Sequence, residues 1–154
     1  FPGMRVIQFG FSDKGAHIHL PHQYTLDTVA YTGTHDNDTT QGWWERAGAT
    51  EQDAVATYIG QPPLCEGRVS PVWPLIRAVE ASVAQLAIIP VQDLFAMGSE
   101  ARMNTPAVPR GNWSWRAPEG AWTRELAAKL ASLVDVTDRD DDPLARKEDE
   151  RVAE

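Results

Sequence analysis

The sequence predicts an α/β protein built on a parallel sheet, and three observations carry that prediction. Short runs of strand-favouring residues recur at 6–11, 27–34 and 87–92. Between the second and third of these lie helical patterns long enough for the crossover that parallel strands require. Finally, in Tyr31-Thr32-Gly33-Thr34-His35-Asp36-Asn37-Asp38-Thr39-Thr40-Gln41-Gly42-Trp43-Trp44 a β-branched run passes into a dense polar cluster and then a helix start. His35, Asp36 and Asn37 are therefore expected at the carboxyl edge of a strand, where parallel α/β sheets and barrels carry their active sites.

Taken in order, residues 6–11 are apolar except for Gln8, the pattern of a strand covered on both faces. Ser12-Asp13-Lys14-Gly15 reads as a polar loop. Three of the four histidines follow, at 17, 19 and 22. Such close imidazoles invite a zinc reading, but no cysteine and no i, i+4 pair supports it, and Pro21 breaks the local periodicity. The roughly 20 residues between the first two strand starts leave little room for a helix. After the second strand, Asp38 and Gln41 have the form of a capping box for a helix running through Trp43 to Ala47. Gly48 stops it, and Thr50-Glu51-Gln52-Asp53 resembles a second such start for a helix over 51–59. Adjacent Trp43 and Trp44 point different ways on a helix, which favours packing over a sugar platform.

Gly60-Gln61-Pro62-Pro63 ends that unit. Ser70 before Pro71 starts a third helix, with Val72, Ile76, Val79 and Val83 as a core stripe. In the third strand Pro90 cannot donate to the ladder, so a bulge or an early ladder end is expected there. Residues 93–98 form its exit. Residues 99–118 are a long loop carrying Glu100, Arg102, Asn104, Pro106, Asn112, Trp113 and Trp115, a length that points to function. A last helix over 121–134 sets Trp122, Leu126, Leu130 and Leu133 on one stripe.

Four segments occur in a family's order: Phe1-Pro2-Gly3-Met4-Arg5-Val6-Ile7-Gln8-Phe9, His19-Leu20-Pro21-His22, the Tyr31–Trp44 stretch, and Ser99-Glu100-Ala101-Arg102-Met103-Asn104-Thr105-Pro106 running on to Gly111-Asn112-Trp113-Ser114-Trp115-Arg116. Over roughly residues 1–134 the chain resembles the 4-α-glucanotransferases known as amylomaltases or disproportionating enzymes, of the α-amylase clan. The resemblance implies a transferase that moves α-1,4-glucan segments between maltooligosaccharides without a cofactor. It also implies that the strands are the last three of a (β/α)8 TIM barrel, and that the chain is the carboxyl-terminal part of a longer enzyme. Residues 1–134 would then belong to the catalytic barrel and 135–154 to an acidic, disordered tail.

Retaining glycosyl transfer needs a carboxylate nucleophile and a carboxylic acid, and it passes through an oxocarbenium-like state. The resemblance implies that Asp36 is a third carboxylate that stabilises this state and that His35 bonds a sugar hydroxyl. It implies that Asn37 braces the loop, and that Asn104 and Pro106 lie beside the donor sugars. No segment matches the family's nucleophile or acid/base, and neither Asp13 nor Asp93 is assigned to those roles. The isolated fragment is therefore expected to be inactive. A different class of function remains open, a non-catalytic carbohydrate-binding remnant that keeps Asp36, Asn104 and the tryptophans; a carboxylate pair on earlier strands would exclude it. The third reading is the histidine metal site, which metal analysis would decide.

Composition narrows the field further. With 14 Lys and Arg against 22 Asp and Glu, the net charge is −8, and no basic patch suits phosphate contacts, so nucleic acid is not an expected partner. Nine acidic and four basic residues follow residue 134, which places five of those eight net charges in the tail. Cys65 is the only cysteine, so no internal disulfide can form and a cytoplasmic setting is expected. No apolar run approaches the ~20 residues of a membrane span.

Overall fold

The computed structural model describes residues 1–12, 17–61 and 69–139. Asp13 and Cys65, and the tail beyond Arg139, lie outside these residues. The chain divides into two compact units, Phe1–Trp122 and Thr123–Glu154.

The first unit is organised on three parallel strands in the order β1 (Gly3–Val6), β2 (Thr28–Tyr31) and β3 (Leu86–Ile88). Met4 pairs with Val29 and Val29 with Leu86, while Tyr31 joins Val6 to Ile88. The predicted parallel α/β class is therefore observed. The first strand, however, precedes the predicted run: Ile7–Phe11 is a 3-10 turn, in which Ile7 and Phe11 are buried while Phe9 is exposed. Apolar runs report burial, and an irregular segment sealed under helices satisfies that signal as well as a strand does. Among the described residues, β1 and β2 are joined only by 3-10 turns, at Ile7–Phe11, His17–His19 and Pro21–Gln23, in keeping with the short spacing. The second strand is shorter than the predicted 27–34.

Helices α1 (Thr40–Arg46), α2 (Ala49–Tyr58) and α3 (Val72–Glu80) separate β2 from β3. The α1 cap is not the predicted Asp38–Gln41 box: Thr39 Oγ1 accepts from the Gly42 N–H at 3.0 Å, and Asp38 is engaged elsewhere. Nor does α2 use a box, because its cap is Gly48 with no side-chain bond. In α3, Val72, Ile76 and Val79 are fully buried as expected, but Val83 lies past the helix end and is exposed. The ladder ends at Ile88, and Pro90 caps the short helix α4 (Val91–Leu94), so the strand stops before the proline and not at Gln92.

The helices bury one face of the sheet. Ile7, Phe11, Leu20, Tyr24, Ala30, Trp44, Val55, Leu75 and Val79 form one cluster, with Trp43 partly buried against it. Each fully buried branched side chain contributes about 1.5–3 kcal/mol. On the opposite face, Met4, Leu86 and Ile88 are exposed.

In the second unit, helix α5 (Arg124–Val136) starts at Thr123, whose Oγ1 accepts from the Leu126 N–H at 3.1 Å. It begins three residues later than predicted because Thr123 supplies the cap; Trp122 belongs to the first unit, where it packs edge-on against Phe95.

Candidate active site

The segment after β2 is braced at its base and exposed at its tip. Asn37 braces it: its Oδ1 accepts from the Thr34 N–H at 3.0 Å and from the Thr34 hydroxyl at 2.7 Å, while its own N–H reaches the Thr34 carbonyl at 3.1 Å. This closes a tight turn whose two central residues are His35 and Asp36. Their side chains are 57% and 53% exposed, with His35 Nε2 3.4 Å from Asp36 Oδ1.

Below the turn the polar groups are buried and fully engaged. Asp93, 1% exposed at the end of α4's first turn, accepts from Thr32 Oγ1 at 2.5 Å, from the Thr40 N–H at 2.7 Å and from Thr40 Oγ1 at 2.7 Å. Burial pushes its carboxyl above the usual range, and these three donors oppose the rise. Asp38 accepts from the Thr39 N–H at 2.9 Å and Ser99 Oγ at 2.7 Å, and pairs with Arg46. Gln8, on the turn after β1, donates to both Asp38 O and Thr40 Oγ1 at 3.2 Å. A Cβ on Gly33 would stand 2.9 Å from Gln8 Nε2 and would push that amide off its two acceptors. Gly42 is more tightly constrained, because its Cβ would stand 2.7 Å from the backbone Ser99 N.

The loop after α4 covers the turn from the other side. Asn104 Nδ2 donates to Asp36 Oδ1 at 2.6 Å, and its backbone N–H to the His35 carbonyl at 3.1 Å. The Trp113 ring lies 5.1 Å from that of His35. Trp113 is held in the left-handed region at φ 61° while its N–H bonds the Met103 carbonyl at 2.8 Å. A bulky residue there carries strain of about 1–3 kcal/mol, which the surrounding loop has to offset.

Two hollows flank the turn. One, of about 380 Å³, is lined by His35, Arg102, Met103 and Trp113 together with Tyr31 and Asp93. The other, of about 540 Å³, is lined by Asp36, Gln8, Phe9, His19, Trp43 and Arg102. Thus His35, Asp36 and Asn104 are brought together as a group. Pro106 is not: it sits on an exposed turn closed by the Val108 N–H on the Thr105 carbonyl, 3.2 Å, and lines neither hollow. No local pattern marks Arg102, Asp38 and Gln8 as parts of this site, because Gln8 meets Asp38 across 30 residues, Asp38 meets Ser99 across 61 and Arg102 meets Asp36 across 66.

The three clustered histidines do not converge. His19 Nδ1 accepts from the Val6 N–H at 3.0 Å, and burial and nearby Arg5 hold its pKa down. His22 Nδ1 lies 3.2 Å from the Tyr58 hydroxyl. Among the described residues no three His, Cys, Asp or Glu side chains group as metal ligands. None of the described helices is long and apolar enough to cross a membrane.

The sequence model of the 4-alpha-glucanotransferase family matches residues 1–122. The chain belongs to that family. It is 44% identical over 141 residues to the 4-alpha-glucanotransferase of Thermus thermophilus, an alignment covering 90% of this chain and 28% of the relative. It is 43% identical over 135 residues to the chloroplastic/amyloplastic 4-alpha-glucanotransferase of Solanum tuberosum, covering 88% of this chain and 23% of that protein. Among solved structures, an amylomaltase from Streptococcus agalactiae in complex with acarbose superposes with a TM-score of 0.81 at 34% identity, covering 90% of this chain and 27% of that one. The chain thus spans about a quarter of the length of the family relatives it matches.

Proposed function

We propose that this chain is the carboxyl-terminal part of the catalytic (β/α)8 barrel of a 4-α-glucanotransferase, and that it supplies the transition-state-stabilising carboxylate, Asp36. The nucleophile and the acid/base would come from elsewhere in the enzyme. The observation that carries this reading is the His35–Asp36 turn, standing exposed at the carboxyl end of β2 in a chain of this family. The open apolar face around Met4, Leu86 and Ile88 supports further strands closing over the sheet. The acidic composition after residue 134 supports a tail outside the barrel, and because α5 runs on through Asp135 and Val136 that tail begins after the helix and not at the expected 135. The single cysteine supports a cytoplasmic setting.

In retaining transfer, positive charge develops on the sugar as the glycosidic bond breaks, first towards a covalent intermediate and again as the acceptor hydroxyl attacks. A fixed anion beside that charge lowers both barriers, and it does so only if it is aimed beforehand. Asp36 would be that anion. His35 would bond a sugar hydroxyl next to it, with Asn104 and Pro106 flanking the donor sugars. The substrates are maltooligosaccharides or α-1,4-glucan; the Streptococcus amylomaltase binds acarbose, and we extend a saccharide ligand to this chain.

Asp36→Asn in the complete polypeptide keeps the volume but removes the charge. Turnover on maltotriose should fall by ~10²–10³, the loss typical of such a group. His35→Ala removes a neutral hydrogen bond, a loss on the order of 1 kcal/mol. If Asp36→Asn keeps more than about a tenth of wild-type turnover, less loss than this class of group shows, Asp36 is structural. The isolated 1–154 fragment should release no glucose from maltotriose, and release would place a nucleophile and an acid within it.

A further inference from the structure

We propose that Arg102 and Asn104 are positioning residues that act through Asp36, an inference that rests on the catalytic reading of Asp36 given above. Asp36 is about half exposed, so packing does little to restrict its rotamers. What restrains it comes from the neighbouring loop. The Arg102 guanidinium donates from Nη2 to the Asp36 carbonyl at 2.7 Å and from Nε to the Asn104 carbonyl at 2.9 Å, so one planar fork bridges the two loops. Asn104 returns the link, with its N–H on the His35 carbonyl at 3.1 Å and Nδ2 on Asp36 Oδ1 at 2.6 Å. A carboxylate oxygen only accepts, so the amide nitrogen, not its oxygen, has to face Asp36.

Both the peptide and the carboxylate of Asp36 are therefore aimed from residues 102–104. The chemistry follows directly. A carboxylate that opposes a developing cation is effective in the fraction of molecules where it points at that cation, and an unclamped Asp36 would spread over several rotamers. Loss of the clamp should lower the rate of the chemical step and leave substrate affinity nearly unchanged. An Asn104 that served chiefly to bind sugar would do the opposite, raising KM.

The test uses the complete polypeptide and maltotriose disproportionation, with Asn104→Ala and Arg102→Lys made alone and on an Asp36→Asn background, each followed by a thermal melt. Lysine keeps the charge but not the fork, so it should not restore the bridge. In the wild-type background kcat should fall about tenfold or more, as misplacement of a reacting group does. KM should stay within about twofold, and on the Asp36→Asn background both effects on kcat should shrink to about twofold or less, the non-additivity expected of groups acting through one another. A raised KM with kcat intact, or losses that persist undiminished without the Asp36 charge, would overturn the proposal and leave the Asp36 reading standing. If Asp36→Asn itself keeps its turnover, the Asp36 reading fails and this inference falls with it. Should Arg102→Lys not fold, Asn104→Ala decides alone, since its amide lies at the exposed rim of the site.

Discussion

The ten residues after β2 contain two halves that are built in opposite ways. At the tip, His35 and Asp36 are more than half exposed, and the bonds that hold them are at the surface. Two to four residues past Asp36, Asp38, Thr39 and Thr40 are buried, and side chains from the turn after β1, from α1, from α4 and from the segment after α4 lock Asp38 and Thr40 in place. The lower half spends its carboxylates, Asp38 and Asp93, on internal donors, and this leaves Asp36 as the carboxylate of the group offered to a ligand. Buried acids that are fully bonded make a scaffold, whereas a half-exposed acid aimed from one side makes a site.

The largest expected effect of breaking the lower half is on folding. Asp93→Ala leaves three buried donors, on Thr32 and Thr40, without an acceptor, and at about 1–3 kcal/mol for each such group the loss should be several kcal/mol in denaturant unfolding of the complete polypeptide. A midpoint close to wild type would mean that this cluster is not an anchor. Smaller is the effect of pH. Because burial raises the Asp93 pKa, the folded state holds that proton more tightly than the unfolded chain does. This contribution to stability is complete below the ordinary carboxyl value of 3.8 and is lost as pH rises through the raised value. Asp93→Asn should remove that falling component from a plot of stability against pH, and an unchanged slope would contradict it.

Thr39→Ala, which strips the α1 cap, should cost about 1 kcal/mol by the same unfolding measurement. Loss of much less would mean that Asp38 caps the helix after all. Smallest is truncation after Arg139, which removes a charge-rich segment and should shift neither melting temperature nor turnover appreciably. A marked drop in either would show that the tail docks.

The two halves also differ in how far the sequence discloses them. The tip is contiguous, and a β-branched run followed by His35-Asp36-Asn37 reads directly as a strand end carrying chemistry. The lower half depends on Asp93, which meets Thr40 and Thr32 across 53 and 61 residues, and no local pattern signals such a meeting. The α1 start shows the same limit. Asp38 and Thr39 are both good cap residues, and the choice of Thr39 follows from Arg46 and Ser99 occupying Asp38. Likewise the apolar run Ile7–Phe11 announces the burial of Ile7 and Phe11 but neither its 3-10 form nor the exposure of Phe9, and Val83 continues a helical stripe that Ala81 had already ended. Pro90 was legible because the reason is local: without an N–H it cannot extend the ladder.

The division of labour is tested most directly by measuring turnover and melting temperature side by side for Asp36→Asn and Asp93→Asn in the complete polypeptide. Asp36→Asn should lose ~10²–10³ in turnover and melt with the wild type. Asp93→Asn should lower the melting temperature by several degrees, the shift expected for a loss on the order of 1–3 kcal/mol, and the molecules that remain folded should keep most of their turnover. The opposite pattern, an Asp36→Asn protein that melts early yet turns over maltotriose normally, would contradict the assignment of chemistry to the tip.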